Sequence, residues 1–363
     1  MKKPRYSFKL GVSLFFFISG LTAVIILLKT LNKETILSLK LFRVEHFLII
    51  FGLIVANWLL ETYKLQVLAR IAEVKLKFKP AFYSALGNIF LSAVTPFQSG
   101  GGAIQVYVMY QYGIGPGKGT AISFLKVSLT LFSLGIATPI ALIVYPELLN
   151  IKMFKTFFIY SLLISLFLLV LYINLLFDPK LLKKIVGFFY KIISRFHLIS
   201  KKKRKKYYKH ILYEIDEFNI INRNAWKYHK IRLLWGFVIS ALVLLTTYAI
   251  APVILIVIYK NILNSIALMH LIVISIVIQL VISFIMYFIP TPGGSGAVEL
   301  GFMAFFKTLI PMNIIGIYTI LWRFFSNIFS VIVGAYISIK IMGIKEFKTL
   351  KNNDIQKAVP KLR

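Results

Sequence analysis

A chain of 363 residues in which 59% are apolar and only 15% charged, with a mean hydropathy of +0.82, lies far from soluble domains, which run about half apolar and about a quarter charged. It has no cysteine, which excludes disulfides and thiolate chemistry, and His46, His197, His210, His229 and His270 are scattered, so no metal, cofactor or catalytic residue is expected. The formal net charge of +31 belongs to loops and ends, where on a membrane protein it reports topology before nucleic-acid binding.

Apolar runs at 8–28, 47–60, 120–145, 156–177, 233–259 and 314–341 are mostly long enough to cross a hydrocarbon core of about 30 Å as helices. Barrel strands would alternate apolar and polar residues, and these runs do not. The expected fold class is therefore all-α, a polytopic membrane protein of about six spanning helices. The first run is too long for a signal-peptide core and lacks an Ala-x-Ala site before Lys29, so it reads as an uncleaved span. Lysine and arginine concentrate in the N-terminal tail, the 64–79 connection, the 178–232 segment and the tail after Lys340. Those four, with both termini, are placed on the cytoplasmic side of a cytoplasmic membrane. The 29–46 loop, with four basic and two acidic residues, is placed outside.

The first interruption lies at TPFQSGGG, residues 95–102. The apolar stretch before it amounts to about 21 Å of helix and the one after it to about 16 Å, so neither crosses alone. Pro96 lacks an amide donor, and Gly100, Gly101 and Gly102 carry a backbone-entropy cost, so no helix continues through. A re-entrant helical hairpin over 81–112 is expected, with Asn88, Thr95, Gln98, Ser99 and Gln105 as polar lining. Lys126, in the next apolar run, is costly in lipid unless paired or facing water. Glu61 and Lys64 read as an interfacial i,i+3 pair.

In the central segment Leu181, Leu182, Ile185, Val186, Phe188, Phe189, Ile192, Ile193 and Phe196 share a helical face, and Lys183, Lys184, Lys191 and Arg195 fill the rest. This is the pattern of an interfacial amphipathic helix. It leads into KKKRKK at 201–206, a run that attracts anionic headgroups at about 1 kcal/mol per charge and equally serves as a plain topology signal. No recognition module accompanies it, so nucleic acid is not an expected partner.

The second interruption is PTPGGSGAVE at 290–299, where Pro290, Thr291, Pro292, Gly293, Gly294 and Gly296 break a second expected hairpin over 268–308. Laying Gly102 over Gly296 aligns Ala103 with Ala297, Gln105 with Glu299 and Met109 with Met303, with Thr-Pro upstream in both and two extra residues in the first. The flanking charges differ, so the first hairpin is expected to open to the cytoplasm and the second to the outside, as inverted repeats. Four parts follow: an N-terminal membrane half 1–177, the amphipathic and polybasic segment 178–232, a C-terminal membrane half 233–341 and a cytoplasmic tail 342–363.

A half-helix start presents unpaired amides and a positive dipole end, suited to an anion such as phosphate. The glycines also admit a purely structural reading, since they let helices pack closely. The expected substrate-binding set is Asn88, Thr95, Gln98, Ser99, Gly100, Gly101, Gly102, Gln105, Lys126, Thr291, Gly293, Gly294, Ser295, Gly296, Glu299 and Arg323. Glu299 with Arg323 or Lys126 reads either as a buried ion pair or as a substrate or proton site.

At Asn88, at TPFQSGGGAIQ, at PTPGGSGAVE and at Arg323 the chain resembles the lysylphosphatidylglycerol synthase transmembrane-region family, also called the flippase-like domain or UPF0104-type family. The resemblance covers nearly the whole chain. It implies a membrane domain that moves aminoacylated phosphatidylglycerol, here as a stand-alone member without the soluble aminoacyltransferase domain. Many members have an arginine preceded by an acid where Leu125 and Lys126 stand here, which shifts the expected partner of Lys126 to Glu299 or lipid phosphate. Three functions follow: transport of an anionic or aminoacylated phospholipid, glycolipid or lipid carrier; a lysyltransferase-type lipid-modifying enzyme with Glu299 as base; or a membrane subunit for such an enzyme. The transporter is preferred over an enzyme. The partners expected are membrane lipids with anionic headgroups, with a lipid-synthesising enzyme and further copies of the chain as protein candidates.

Overall fold

The computed structural model describes residues 5–146, 179–195, 201–259, 263–286, 289, 291–307 and 309–343, together with scattered positions between 155 and 170. Among these residues every regular element is helical. In chain order they are α1 (Arg5–Thr30), α2 (Lys33–Lys40), α3 (Val44–Ala69), α4 (Phe78–Val94), α5 (Gly100–Gln111), α6 (Pro116–Val144), α7 (Lys180–Arg195), α8 (Lys201–Tyr228), α9 (Lys230–Tyr248), α10 (Ile250–Tyr259), α11 (Ser265–Met286), α12 (Ala297–Phe306), α13 (Met312–Arg323) and α14 (Phe329–Gly343).

Among the described residues six stretches are long and apolar enough to cross a membrane: Leu10–Thr30, Val44–Ala69, Pro116–Val144, Lys230–Tyr259, Ser265–Phe284 and Ile314–Ile341. The chain is thus a multi-pass, all-α membrane protein. Two stretches differ from the sequence reading. The 47–60 run extends to a 26-residue helix, because Glu61 and Lys64 sit inside it as a mutually neutralising pair rather than ending it. The first limb of the second interruption, α11, has 22 residues, about 33 Å of helix, and is therefore longer than a half-helix. The expected 156–177 span lies largely outside the described residues; the positions of it that are described are helical.

Helix ends follow local chemistry. Asn32 caps α2, accepting the Thr35 amide at 2.9 Å while Thr35 Oγ1 accepts the Asn32 amide. Pro116 opens α6, where its fixed φ suits a first turn. Between α13 and α14 the ladder loosens into one π turn, Phe324–Ile328, a form that clusters at functional sites.

Helix α4 lies at the centre, packed against α5, α14 and α3. Small residues permit the approach: a Cβ on Gly334 would sit 2.4 Å from the Leu86 carbonyl oxygen, and one on Gly11 of α1 2.4 Å from that of Val94. The largest apolar cluster joins α3, α10, α11, α12 and α13, with Phe302 stacked on Trp322 at 3.9 Å. Gln279 of α11 crosses this core, donating to the Tyr248 carbonyl and accepting from Trp322 Nε1.

Helix α8 seats Phe218, Ile221 and Ala225 against Ala121, Ile122 and Leu125 of α6, and its Glu214 carboxylate accepts the Gly117 amide at the start of α6. Helix α7 is tied to it by Lys183 with Asp216 and by Tyr190 against Tyr208. Leu182 is half-buried against this cluster while Phe188 is exposed; Phe196, at the end of the expected amphipathic face, lies outside the described residues.

Candidate functional site: the junction of the two breaks

Each Thr-Pro sequence forms a one-turn 3₁₀ segment, Pro96–Gln98 and Pro292–Gly294. Their backbones match position by position. Phe97 has φ 53° and ψ 20°, Gly293 φ 58° and ψ 18°; Gln98 follows with φ 54° and Gly294 with φ 69°. Glycine takes this left-handed conformation freely, whereas Phe97 and Gln98 incur about 1–2 kcal/mol each. The equivalence runs from Thr95 with Thr291 to Gln98 with Gly294 and ends at the serines, where Ser99 has ψ −23° and Ser295 ψ 138°. The two extra residues of the first break, Gly100 and Gly101, are therefore absorbed in the first turn of α5.

The two tips meet. The Phe97 amide donates to the Ile289 carbonyl at 3.3 Å, and Gly293 lies so close to α4 that a Cβ there would be 2.8 Å from the Ala93 carbonyl oxygen. Most of the expected polar lining works within the turns. Thr95 Oγ1 donates to the Leu91 carbonyl at 2.7 Å and accepts the Gly100 amide at 2.9 Å. Ser99 Oγ donates to the Pro96 carbonyl, Ser92 Oγ to that of Gln98, and Ser19 Oγ of α1 to Ser295 Oγ. Gly101 serves close packing, since a Cβ there would meet Ser92 Oγ at 2.1 Å, while Gly102 faces open space. Thr291 Oγ1 is buried without a partner.

The second tip carries a latch. Arg323 Nε donates to Glu299 Oε1 at 2.8 Å and its terminal nitrogen to the Gly293 carbonyl at 2.8 Å, while Glu299 Oε2 accepts the Gly296 amide at 2.8 Å. Both side chains are buried. Glu299 thereby caps α12, and one arginine fixes both the cap and the tip. The start of each short limb is met by the chain's own oxygen, Thr95 in the first and Glu299 in the second.

Lys126 does not reach Glu299. It pairs with Glu61 Oε2 at 2.9 Å, an ionic contact rather than a well-directed hydrogen bond, and donates to Asn88 Oδ1 at 3.1 Å. Lys64 pairs with the other oxygen of Glu61 at 2.9 Å and donates to Thr130 Oγ1 at 3.3 Å. The expected Glu61–Lys64 i,i+3 pair is formed and is buried within the protein, with Lys64 fully buried, because Glu61 also answers Lys126 on α6. Asn88 is seven residues before Thr95 on α4, about 10 Å from the tip. Gln105 is fully buried, and neither end of its amide has a partner.

The structure thus gathers Thr95 to Gly102 with Thr291 to Gly296 at one junction, adds Glu299 and Arg323 to the second tip, and sets Asn88 and Lys126 in a separate charged cluster. Sequence reasoning left Thr130 out of that cluster and did not join Glu61 and Lys64 to Lys126. Three charged residues in two neighbouring apolar runs were the signal, since each needs a counter-charge.

With the geometry described, two comparisons bear on it. The family described as Lysylphosphatidylglycerol synthase TM region matches residues 7–334. A UPF0104 membrane protein of Archaeoglobus fulgidus is 24% identical over 305 residues, which is 84% of this chain and 88% of that protein.

Proposed function

Because the chain belongs to the lysylphosphatidylglycerol synthase transmembrane-region family, we propose that it is a lipid transporter of the cytoplasmic membrane. Its cargo is an anionic or aminoacylated phospholipid, a glycolipid or a lipid carrier, and the headgroup crosses where the two tips meet. The observation that carries this reading is the tip-to-tip contact of two turns with matched left-handed backbones. Broken helices meeting at a repeat interface are a recurring way to build a crossing point, since irregular backbone in a membrane is tolerated where it lines a cavity or is buried in protein. On this reading the two tips approach each other from opposite sides of the membrane, the second carried in by the full-length α11, and the basic loops favour cytoplasmic termini.

The enzyme reading with Glu299 as base is disfavoured by geometry. One of its oxygens is held by Arg323 and the other by the Gly296 amide, and the group is 4% exposed, so the latch stands between a substrate and this carboxylate. The test is reconstitution of the purified chain in liposomes carrying a fluorescent phosphatidylglycerol, with dithionite quenching to follow movement between leaflets. Faster loss of the protected half than in protein-free liposomes is expected. No acceleration across phosphatidylglycerol, aminoacylated phosphatidylglycerol, a glycolipid and a polyprenyl phosphate overturns the proposal, and a new lysyl lipid in extracts of expressing cells restores the enzyme.

A further inference from the structure

We propose that the buried Lys64–Glu61–Lys126 cluster is a binding site for one phosphate-type anion, taken up beside Gln105. The site deepens the transport reading and rests on it for the identity of its lipid ligand. Two lysines share the one carboxylate of Glu61, so with both protonated the cluster carries one excess positive charge among buried residues of α3 and α6. An uncompensated charge in that setting is strongly unfavourable.

Donors are in surplus as well. Each lysine has three N–H donors. Lys64 places two on Glu61 and Thr130, and Lys126 one on Asn88 beside its ionic contact with Glu61. Around them Ser123 Oγ, one turn before Lys126 on α6, and Ser84 Oγ, one turn before Asn88 on α4, are buried without partners. Gln105 lies on α5, which packs against α4: Gly101, one turn before it, faces Asn88 and Ser92, and its neighbour Ile104 faces Gly87. A group that accepts from many donors and brings one negative charge satisfies this set; a neutral or cationic group does not. Glu61 and Lys126 keep 12% and 7% of their side-chain surface, so the cluster is not sealed.

The internal repeat supplies an independent argument. In the second repeat the third residue after the glycine is Glu299, and the basic residue of the next span, Arg323, binds its carboxylate. In the first repeat the same position is the neutral Gln105, and the basic residue of the next span, Lys126, turns to Glu61 and Asn88. The second repeat is closed by its own carboxylate; the first can take one from a ligand. A phosphodiester of a lipid and a free phosphate share that chemistry.

The decisive variant is Gln105→Glu, which gives the first repeat the carboxylate of the second. Binding to the purified full chain in detergent is measured with dioleoyl phosphatidylglycerol, with the phosphatidylcholine analogue and with inorganic phosphate. The wild type is expected to bind at least one of the anionic probes, and Gln105→Glu and Lys126→Met to weaken it tenfold or more, while Lys126→Arg stays within about threefold. Loss of phosphatidylglycerol binding assigns the site to a lipid headgroup, and loss of inorganic phosphate binding alone assigns it to a soluble anion. Unchanged binding of both probes in Gln105→Glu, or equal binding of phosphatidylcholine, overturns the site. Should Lys126→Met fail to fold, Gln105→Glu decides, because it adds a counter-ion to the cluster. Lipid movement measured in parallel separates the two proposals: binding without movement overturns transport alone, and movement with anion binding unchanged in Gln105→Glu overturns the site alone.

Discussion

Replacing Glu299 by glutamine keeps the side chain's shape and removes its charge. In the native structure its two oxygens take Arg323 Nε and the Gly296 amide, each at 2.8 Å, and Arg323 is only 4% exposed. Stranding a guanidinium there costs about 3–5 kcal/mol, whereas a lost helix cap alone costs about 1 kcal/mol. The charge effect dominates, and it corresponds to about two to three and a half decades in the folded ratio at about 1.4 kcal/mol per decade. Arg323→Met strands the carboxylate in the same way and also frees the Gly293 carbonyl. The double variant removes both charges, so its loss should fall short of the sum of the singles by about 1–3 kcal/mol. Denaturation followed by tryptophan fluorescence, with Trp322 beside the latch, reads the cycle, and gel-filtration profiles check the fold. Single variants within about 1 kcal/mol of wild type and a strictly additive double would refute the latch.

Three further outcomes follow from the packing. Phe97→Gly with Gln98→Gly relieves two left-handed residues and should stabilise the chain by about 1 kcal/mol or more in the same denaturation series; a loss would show that the Phe97 side chain holds the tip. Gly334→Ala drives a methyl group into the Leu86 carbonyl and should cost about 1–3 kcal/mol by overpacking, whereas Gly52→Ala, with nothing within 4 Å, should be neutral. Glu214→Ala removes the carboxylate on the Gly117 amide and should weaken the seating of α8 on α6 by about 1 kcal/mol, seen as faster amide exchange confined to those two helices.

The breaks were legible because proline and glycine act locally: Pro96 and Pro292 fix where helices stop, and the aligned Gly-Ala-x-Gln/Glu endings expose the repeat. That the tips touch was not legible, since a single backbone bond between Phe97 and Ile289 leaves no trace in composition. The Glu299–Arg323 pair could be read as one of two options, because both are charges inside apolar runs. Lys126 was matched to the wrong acid: Glu61 is remote in sequence, and only the packing of α3 against α6 brings it near. The length of α11 was not legible from the break, which points to a half-helix, although Ser265–Phe284 has a mean hydropathy of 2.6. The π turn after Arg323 had no sequence signal at all.

The absence of cysteine permits the most direct test of the central claim, that lipid crosses where the tips meet. Phe97→Cys with Ile289→Cys places two thiols across the contact, and phosphatidylglycerol movement is measured in one proteoliposome preparation before and after oxidation. Movement should stop when the disulfide forms and return on reduction. Movement that continues at the unoxidised rate with the disulfide fully formed would contradict the account.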